Sequence, residues 1–422
     1  MAEPAATPGP GQSGVRIGLC ADVLLSWAGG MDLLAYMARS LMAARPGLGL
    51  ALLLPGPPPV RSGLSWGKIR RAIKAALGRP KLGQNPEEVR LQRAAELIER
   101  LRAICPSLEI RYGAGLDETL AEAAAELRLD AICLAMRAPR RRPACALVGY
   151  VPDYQHRHLP HLFSDAERAE RDDVFDRLIA VCDAMVMNAH AVAEDMRRFS
   201  CVTPPALHVL PFSPNLDPAW LTDEPHRSAA YALGRPYFIV CNQFWVHKDH
   251  RTAFRAFAVL ARRHPEVSMV CTGGTSDYRD PGYFSRLQAE VAELGLRSRL
   301  RFLGHIPKRD QIELLKGAVA VVQPTLFEGG PGGGSTYEAV ALGQRVLLSD
   351  LPVNREANEG DIRFFPPGDH EALAGLMETA LAEDAARVDP AELRARSDER
   401  LRRNGEAAWA ATMTAITKRR GG

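Results

Sequence analysis

Short apolar segments alternate with longer amphipathic segments along most of the chain, and this alternation forms two series. The seven apolar segments of the first series are "VRIGLC" (15–20), "LGLALLLP" (48–55), "LEIRYG" (108–113), "DAICLAM" (130–136), "ACALVGY" (144–150), "DAMVMN" (183–188) and "ALHVL" (206–210). The second series follows residue 236 and consists of "YFIVC", "VSMVCTGG", "RLRFLG", "AVAVVQP", "QRVLLSD" and "IRFFPP". Segments that are apolar throughout and separated by helices are typical of parallel strands buried on both faces. The sequence therefore predicts an α/β protein with two doubly wound, Rossmann-like domains.

The length of 422 residues agrees with two domains, because single cores rarely grow beyond about 250–300 residues. The predicted organisation is a flexible tail at 1–14, a first domain at 15–212, a linker at 213–235, a second domain at 236–400 and a C-terminal helix at 401–422. The tail has neither a basic region nor an apolar segment, so it is not expected to be a signal peptide. Ligands of open α/β sheets bind beyond the carboxyl ends of the strands, so two such domains predict a cleft between them.

The composition excludes several classes of protein. The formal net charge of +3 is too small to indicate nucleic acid as the main partner. No apolar run approaches the roughly 20 residues that a membrane-spanning helix needs. The eight cysteines are spaced singly, which predicts reduced thiols in a cytoplasmic protein and no cysteine metal site.

A glycine-rich turn in "TLFEGGPGGGSTYEAVALG" (325–343) lies between a predicted strand and a predicted helix. Ordering glycine costs backbone entropy, and a cluster of glycines this dense therefore needs a reason. The amides at a helix N-terminus bind phosphate, and glycines allow an anion to approach them closely. Ser335 or Thr336 is expected to cap the helix and to reach a phosphate oxygen. A flexible surface loop is the other explanation of the glycines.

A glutamate stands on each side of these glycines, Glu328 before them and Glu338 after them. Carboxylates beside a phosphate are understandable when they hold neutral hydroxyl groups. A diphosphate with hydroxyl-bearing groups on both sides is a nucleotide sugar, and the turn therefore predicts a nucleotide-sugar site. Lys248 follows the first strand of the second series and is placed to meet the diphosphate; the alternative is a solvated loop lysine. In either role, a loop lysine is not expected to carry the core.

Two further groups of residues belong to the first half of the chain. Gly29 and Gly30 precede a predicted helix and form either a second backbone site for an anion or a plain tight turn. Asp153, His156 and His158 follow a predicted strand. Asp153 and His156 act either in catalysis or substrate binding or as ordinary polar turn residues. They lack the complementary cysteine or glutamate pair of a zinc site, so no metal is predicted.

The segments "NQFWVHKDH" and "FLGHIP…VVQPTLFEGG…STYEAVALGQRVLLSDLPVNREA" together resemble the retaining nucleotide-sugar glycosyltransferases of the GT-B fold, family four, whose second domain is called glycosyl transferases group one. The resemblance extends over nearly the whole chain from about residue 15. It implies that Glu328 contacts the transferred sugar, that Glu338 binds the ribose hydroxyls and that Lys248 binds the diphosphate. Nine residues separate the two glutamates, two more than is usual in the family, and the extra residues fall among the glycines.

The remaining site residues follow from the same resemblance. The glycine turn of the first domain matches Gly29 and Gly30, and the histidine near the sugar is best matched by His156, with Asp153 beside it. The remaining predicted donor contacts are Gln243, Gly273, Gly274, His305, Gly332, Gly333, Gly334, Ser335 and Thr336. In this fold the C-terminal helix often crosses back to the first domain, and the same is expected of 401–422.

The resemblance implies transfer of a hexose-type sugar from a UDP- or GDP-linked donor to a hydroxyl of a glycan, lipid-linked or small-molecule acceptor. The anomeric configuration is expected to be retained by front-face attack, with no metal, cofactor or side-chain nucleophile. A nucleotide-sugar epimerase of the same architecture and a non-catalytic sugar-nucleotide-binding subunit are the alternatives.

Two basic segments leave their roles open. "WGKIRRAIKAALGRPK" (66–81) is either a solvated helix or loop, or a contact with an anionic membrane surface that would place a cytoplasmic protein at the inner face of the membrane. "RAPRRRP" (137–143) is either a solvated loop or a site for an acidic acceptor.

Overall fold

The structure is a computed structural model that describes residues 14–56, 86–113, 119–222, 231, 233–234, 236–383 and 388–421. The predicted tail, apart from residue 14, and the basic segment at 66–81 lie outside the described residues, as does part of the predicted linker at 213–235.

The first half of the chain forms one parallel sheet of seven strands, whose order is β3-β2-β1-β4-β5-β6-β7. The strands are β1 Arg16–Cys20, β2 Gly49–Leu54, β3 Glu109–Tyr112, β4 Ala131–Ala135, β5 Ala146–Tyr150, β6 Ala184–Met187 and β7 Ala206–Val209. The helices described between them are α1 Ala28–Ala44, α2 Pro86–Ile104, α3 Thr119–Glu126, α4 Gln155–His158, α5 Asp165–Val181 and α6 His190–Phe199. Residues of β4, β5 and β6 are buried throughout, which is why these segments are apolar without alternation.

The second half forms a parallel sheet of six strands in the order β10-β9-β8-β11-β12-β13. The strands are β8 Tyr237–Cys241, β9 Ser268–Thr272, β10 Leu300–Gly304, β11 Val321–Gln323, β12 Val346–Ser349 and β13 Ile362–Phe365. The helices are α7 His250–Ala261, α8 Tyr283–Glu293, α9 Lys308–Gly317, α10 Gly333–Ala341, α11 His370–Ala382 and α12 Pro390–Gly421. Each predicted strand is present, with its ends moved by at most three residues. The prediction of two doubly wound α/β domains is confirmed.

Each sheet has a switch point at which the strand order reverses direction. In the first sheet it lies between β1 and β4, and in the second between β8 and β11. The loops that leave such neighbouring strands diverge to opposite faces, and the gap between them is the usual ligand site of doubly wound folds. Most predicted site residues of the second domain follow β8 and β11, whereas Gly273 and Gly274 follow β9 and His305 follows β10.

Helix α12 begins at Pro390, before the predicted start at 401, and its second half packs on the first sheet rather than on the second. Its residues Ala408, Ala411, Ala415 and Ile416 belong to the same buried cluster as strand β1 and helix α1. The core of the first domain is therefore completed by a segment that follows the second domain in the chain.

None of the helices in the described part of the chain combines the length and the apolar character that crossing a membrane requires.

Candidate functional site

The loops after β8 and β11 meet because these two strands are neighbours in the second sheet, with Val321 paired to Ile239. The loop after β8 ends in a short 3₁₀ turn, Val246–Lys248, and the loop after β11 carries Glu328. Parallel neighbours bring their carboxyl ends to one edge, so Lys248 and Glu328 come together although 80 residues separate them.

Lys248 and Glu328 form an ion pair, with Lys248 Nζ 2.6 Å from Glu328 Oε1. Both side chains are largely withdrawn from solvent, at 12% and 7% exposure, respectively. The Nε2 amide group of Gln323 also donates to Glu328 Oε1, at 3.2 Å. The sequence placed these two charges on different parts of a donor, whereas the structure pairs them directly.

Gln323 is the centre of a buried hydrogen-bond network that the sequence reasoning missed. Its Oε1 accepts from Asn242 Nδ2 and from Ser335 Oγ, each at 3.0 Å, while its Nε2 donates to Glu328. The network joins the ends of β8 and β11 to helix α10. A buried polar network whose members are satisfied fixes its side chains in one arrangement. The available signal was a glutamine at the end of the otherwise apolar strand "AVAVVQP".

Helix α10 begins at Gly333 and not near Ser335, and this changes the roles of two predicted residues. Ser335 and Thr336 lie inside the helix and are buried. The Ser335 hydroxyl donates to Gln323, and Thr336 Oγ1 donates to the carbonyl of Gly332 at 2.7 Å. The expectation that one of them caps the helix is wrong, because the N-cap is Gly332 and no side chain caps it.

The glycines of the turn serve different purposes. Gly332 and Gly333 have φ angles of 72° and 71°, a left-handed conformation that glycine adopts without strain. The amide of Gly332 donates to Asn354 Oδ1 at 2.8 Å, so this amide is already bonded. Gly334 has open space around the position of a Cβ atom, which leaves the start of α10 accessible.

Gly329 and Gly330 allow the first domain to approach. A Cβ atom on Gly329 would lie 2.7 Å from the carbonyl oxygen of Pro152 and 2.9 Å from Asp153 Cβ. A Cβ atom on Gly330 would lie 3.3 Å from Asn188 Cβ. The loop that carries Glu328 is therefore in direct contact with the opposite domain.

Glu338 lies on α10 and is held by two residues of α9. Lys308 Nζ forms an ion pair with Glu338 Oε1, and Gln311 Nε2 donates to Glu338 Oε2 at 2.9 Å. Burial raises the pKa of Glu338, and the charge of Lys308 opposes this shift. Its contact with a ribose stays a prediction.

Four other predicted contacts lie at the same edge of the second sheet. The amide of Gly274 donates to Gln243 Oε1 at 2.9 Å. A Cβ atom on Gly273 would lie 1.9 Å from the carbonyl oxygen of Asn242, so only glycine fits this close approach. His305 follows β10 and is exposed.

The sequence predicted that Gly29 and Gly30 precede helix α1. They belong to its first turn instead, because the helix begins at Ala28. A Cβ atom on Gly30 would lie 2.2 Å from the carbonyl oxygen of Leu24, so this glycine is required by the adjacent 3₁₀ turn. The indole of Trp27 lies beside Gly29 and is partly exposed toward the cleft.

Asp153 and His156 separate into different environments. Asp153 lines the cleft against Gly329, whereas His156 is fully buried in the first domain. His156 Nε2 donates to Asp172 Oδ1 at 2.8 Å, and its Nδ1 accepts from Arg171 Nε at 3.3 Å. Burial lowers the pKa of His156. The structure thus differs from the expected contact of His156 with a sugar, because both ring nitrogens are bonded and no part of the side chain reaches the cleft.

A cavity of about 710 Å³ lies between the two domains. The first domain contributes most of its lining, including Trp27, Asp153 and Arg171, and the second contributes Tyr278 and Gly329. Within the described residues, no cluster of three or more histidine, cysteine, aspartate or glutamate side chains has an arrangement that could hold a metal ion.

Two contacts outside the cavity also join the domains. Glu356 accepts the backbone amides of His190 and Ala191 at 2.7 and 2.8 Å, and so binds the first turn of α6. The N-cap position of α6 is Ala189, whose side chain cannot provide this bond. Arg279 donates to Gln155 Oε1 at 3.3 Å.

The architecture and the position of the site define a GT-B fold. Residues 222–404 match the model of the family Glycosyl transferases group 1. The solved structure of HepE from Anabaena in complex with UDP superposes with a TM-score of 0.56 at 14% identity, covering 96% of this chain and 98% of that one. WaaG, a glycosyltransferase involved in lipopolysaccharide biosynthesis, superposes with a TM-score of 0.51 at 15% identity, covering 96% and 100%.

A curated relative is the O-antigen chain mannosyltransferase RfbU of Salmonella typhimurium strain LT2, which is 27% identical over 136 residues. That match spans 32% of this chain and 36% of the relative, so the chain covers about a third of that protein's length. The fold inferred from the sequence is confirmed by these likenesses.

Proposed function

We propose that the protein is a retaining glycosyltransferase of family four, which transfers a hexose-type sugar from a nucleoside-diphosphate donor to an acceptor hydroxyl. The observation that carries this proposal is the buried Lys248–Glu328 pair at the start of α10, in a loop that contacts Asp153 of the opposite domain. Glu328 thus pairs with a cation, lies beside the first residue of α10 and belongs to a loop that contacts a second carboxylate, Asp153. The match of residues 222–404 to the group 1 family model supports the same function.

The leaving group is the nucleoside diphosphate, which gains negative charge as the glycosidic bond breaks. Lys248 and the backbone amides at the start of α10 stabilise this charge more in the transition state than in the bound donor. The proton of the acceptor hydroxyl passes to the leaving phosphate oxygen on the same face of the sugar. The acceptor oxygen forms the new bond on that face, so the anomeric configuration is retained.

We propose that Lys248 and Glu328 take their predicted roles one after the other, first as an ion pair and then as ligands of the donor. Without donor, Glu328 is the counterion that keeps an ammonium group at the cleft. The diphosphate competes for Lys248, and Glu328 then accepts hydrogen bonds from the sugar hydroxyls while Gln323 still holds it.

The donor is UDP- or GDP-linked. UDP is supported by the complex of HepE, and GDP by the resemblance to family four. The acceptor is a hydroxyl of a glycan, lipid-linked or small-molecule acceptor of polysaccharide or glycolipid biosynthesis. WaaG, which is involved in lipopolysaccharide biosynthesis, and the O-antigen chain mannosyltransferase RfbU support this class of acceptor. The proposal places the protein in the cytoplasm, at the inner face of the membrane if 66–81 binds lipid, and requires no metal or cofactor.

A panel of UDP- and GDP-linked hexoses tests this function. A transferase releases nucleoside diphosphate by slow hydrolysis, and added sugars that accelerate the release identify acceptors. An epimerase converts the sugar without releasing nucleotide, and a non-catalytic subunit binds without turnover. Either of these two outcomes would contradict the proposal.

The two glutamates are expected to differ in nucleotide binding. Glu338→Ala should weaken UDP or GDP binding about 10–100-fold, because charge-assisted hydrogen bonds contribute roughly 1.5–3 kcal/mol. Glu328→Ala should leave that affinity intact or raise it, because the carboxylate no longer competes for Lys248, and should lower the turnover of the complete donor. Isothermal titration calorimetry separates the two, and Glu371→Ala, at an exposed side chain of α11, is the control. The reverse pattern would show that the longer glycine turn has rearranged the site.

A further inference from the structure

A chain of side chains in the first domain leads from a buried histidine to the cleft. Asp172 Oδ1 accepts from His156 Nε2 at 2.8 Å, and Arg171 Nε donates to His156 Nδ1 at 3.3 Å. An NH2 group of the same guanidinium donates to Asp153 Oδ1 at 3.1 Å. Asp172 is itself held by Arg157 at 2.6 Å. One guanidinium therefore connects the buried ring to the carboxylate at the cleft.

The two oxygens of Asp153 have different surroundings. Oδ1 accepts from Arg171 and from the backbone amide of Gln155, at 3.1 and 2.9 Å. Oδ2 is the oxygen nearer to the Glu328 loop, 3.4 Å from the position of a Cβ atom on Gly329. The Asp153 side chain keeps 25% of its surface exposed and lines the cavity. Oδ1 is thus fixed within the first domain, and Oδ2 faces the loop that carries Glu328.

The orientation of Arg171 is fixed from several directions. Its guanidinium lies over the rings of Phe163 and Phe175, at 5.3 and 5.8 Å from their centres. His156 packs against the same two rings. Because Arg171 donates to Nδ1, the ring proton of neutral His156 is on Nε2, where it meets Asp172. The lowered pKa of His156, caused by burial, agrees with this neutral form.

We propose that Asp153 orients the acceptor hydroxyl through Oδ2, and that Arg171, set in place by His156, is the positioning residue for Asp153. This inference rests on the proposed transferase function and adds Arg171 to its machinery. Asp153 accepts a hydrogen bond from the acceptor and need not take its proton, which goes to the leaving phosphate oxygen.

The test uses the donor that the panel identifies, with water in the place of the acceptor. Arg171→Met keeps an unbranched apolar side chain that can pack on the phenylalanine rings, and it removes the N–H groups that bind His156 and Asp153. It should lower kcat for donor hydrolysis by about 10–100-fold, since a catalytic group misplaced by 1 Å can lower the rate by about 10²-fold. The affinity for UDP or GDP, measured by calorimetry, should stay unchanged. Arg168→Met, on the same helix and outside the cavity, is the matched control.

A double-mutant cycle separates positioning from a direct or merely structural role. Asp153→Asn alone should lower kcat, and adding Arg171→Met should lower it no further, because Arg171 acts through Asp153. Hydrogen exchange of the Gln155 backbone amide, monitored by NMR or mass spectrometry, should be faster in Arg171→Met, because this amide donates to Asp153 Oδ1. His156→Gln, which can still accept from Arg171, should retain more activity than His156→Phe.

Additive losses in the cycle, or weaker nucleotide binding by Arg171→Met, would overturn the assignment of Arg171 while leaving the transferase function in place. A wild-type protein that turns over none of the panel would overturn the transferase function and this inference together. Should Arg171→Met fail to fold, the comparison of His156→Gln with His156→Phe supplies the decision, and equal activities would count against the proposal.

Discussion

Lys248→Ala is expected to lower donor turnover by about 10²–10³-fold, the scale for removing one preorganised group that stabilises developing charge. The same substitution should also lower the free energy of unfolding, by about 3–5 kcal/mol, because it leaves Glu328 as a buried charge without its partner. As a loop lysine, Lys248 was expected from the sequence to carry no part of the fold. The pair seen in the structure changes that expectation.

A second substitution separates the two effects. Glu328→Gln in the Lys248→Ala background removes the buried charge and should restore most of the stability, whereas turnover should stay low. Lys248→Arg should rescue only part of the activity, because a planar guanidinium does not replace a compact ammonium group. Lys316→Ala, which breaks a pair within α9 away from the cleft, is the control and should leave turnover unchanged.

Enzyme assays with a nucleotide sugar and urea unfolding followed by circular dichroism measure these quantities. Near-normal turnover in folded Lys248→Ala protein would remove Lys248 from the site. A double variant that is no more stable than Lys248→Ala alone would show that the cost does not arise from the unpaired Glu328 carboxylate.

Gly405→Ala should lower the free energy of unfolding substantially although it adds only one methyl group. Gly405 is buried where α12 crosses α1, and a Cβ atom there would lie 2.0 Å from the carbonyl oxygen of Ser40 and 2.8 Å from Ala44 Cβ. The contact at 2.0 Å is with backbone, so the helices have to separate. We expect a loss of about 3 kcal/mol, at the upper end of the range for overpacked cores.

Gly375→Ala provides the matched control within α11, where an added Cβ atom meets nothing within 4 Å. Alanine there should stabilise the protein by about 0.4–1 kcal/mol, because it lowers the conformational entropy of the unfolded chain. Urea unfolding of both variants tests the comparison. Equal stabilities would mean that α1 and α12 tolerate separation, and the close crossing would then carry no energetic weight.

The strands and the approximate positions of Lys248, Glu328 and Glu338 could be predicted from the sequence, since apolar runs and strand-to-helix turns are local features. The doubly wound order follows from short-range alternation in the same way. Knowing which loops follow which strands was enough to bring the two halves of the site to one edge. The start of α10 was misplaced by two residues, because the left-handed backbone at Gly332 is not visible in the sequence.

The contacts that distinguish the glycines and the histidine could not be predicted in this way. Gly329 is required by Pro152 and Asp153, which are more than 170 residues away and belong to the other domain. His156 directly precedes the exposed residues Arg157 and His158, and its burial depends on Phe163 and Phe175 folding over it. Both facts depend on packing between distant parts of the chain, which a local pattern does not encode.

The return of α12 to the first sheet has a consequence for biosynthesis on the ribosome. The buried residues of α1 include Leu34 and Leu41, which belong to the same cluster as Ala411 and Ala415 of α12. These α12 residues are translated only after the whole second sheet has been made. The second domain can therefore complete its core while the nascent first domain still displays an apolar stripe, so the usual N-to-C order of domain completion is reversed. During that interval the uncovered stripe of α1 is the surface that a chaperone would have to shield.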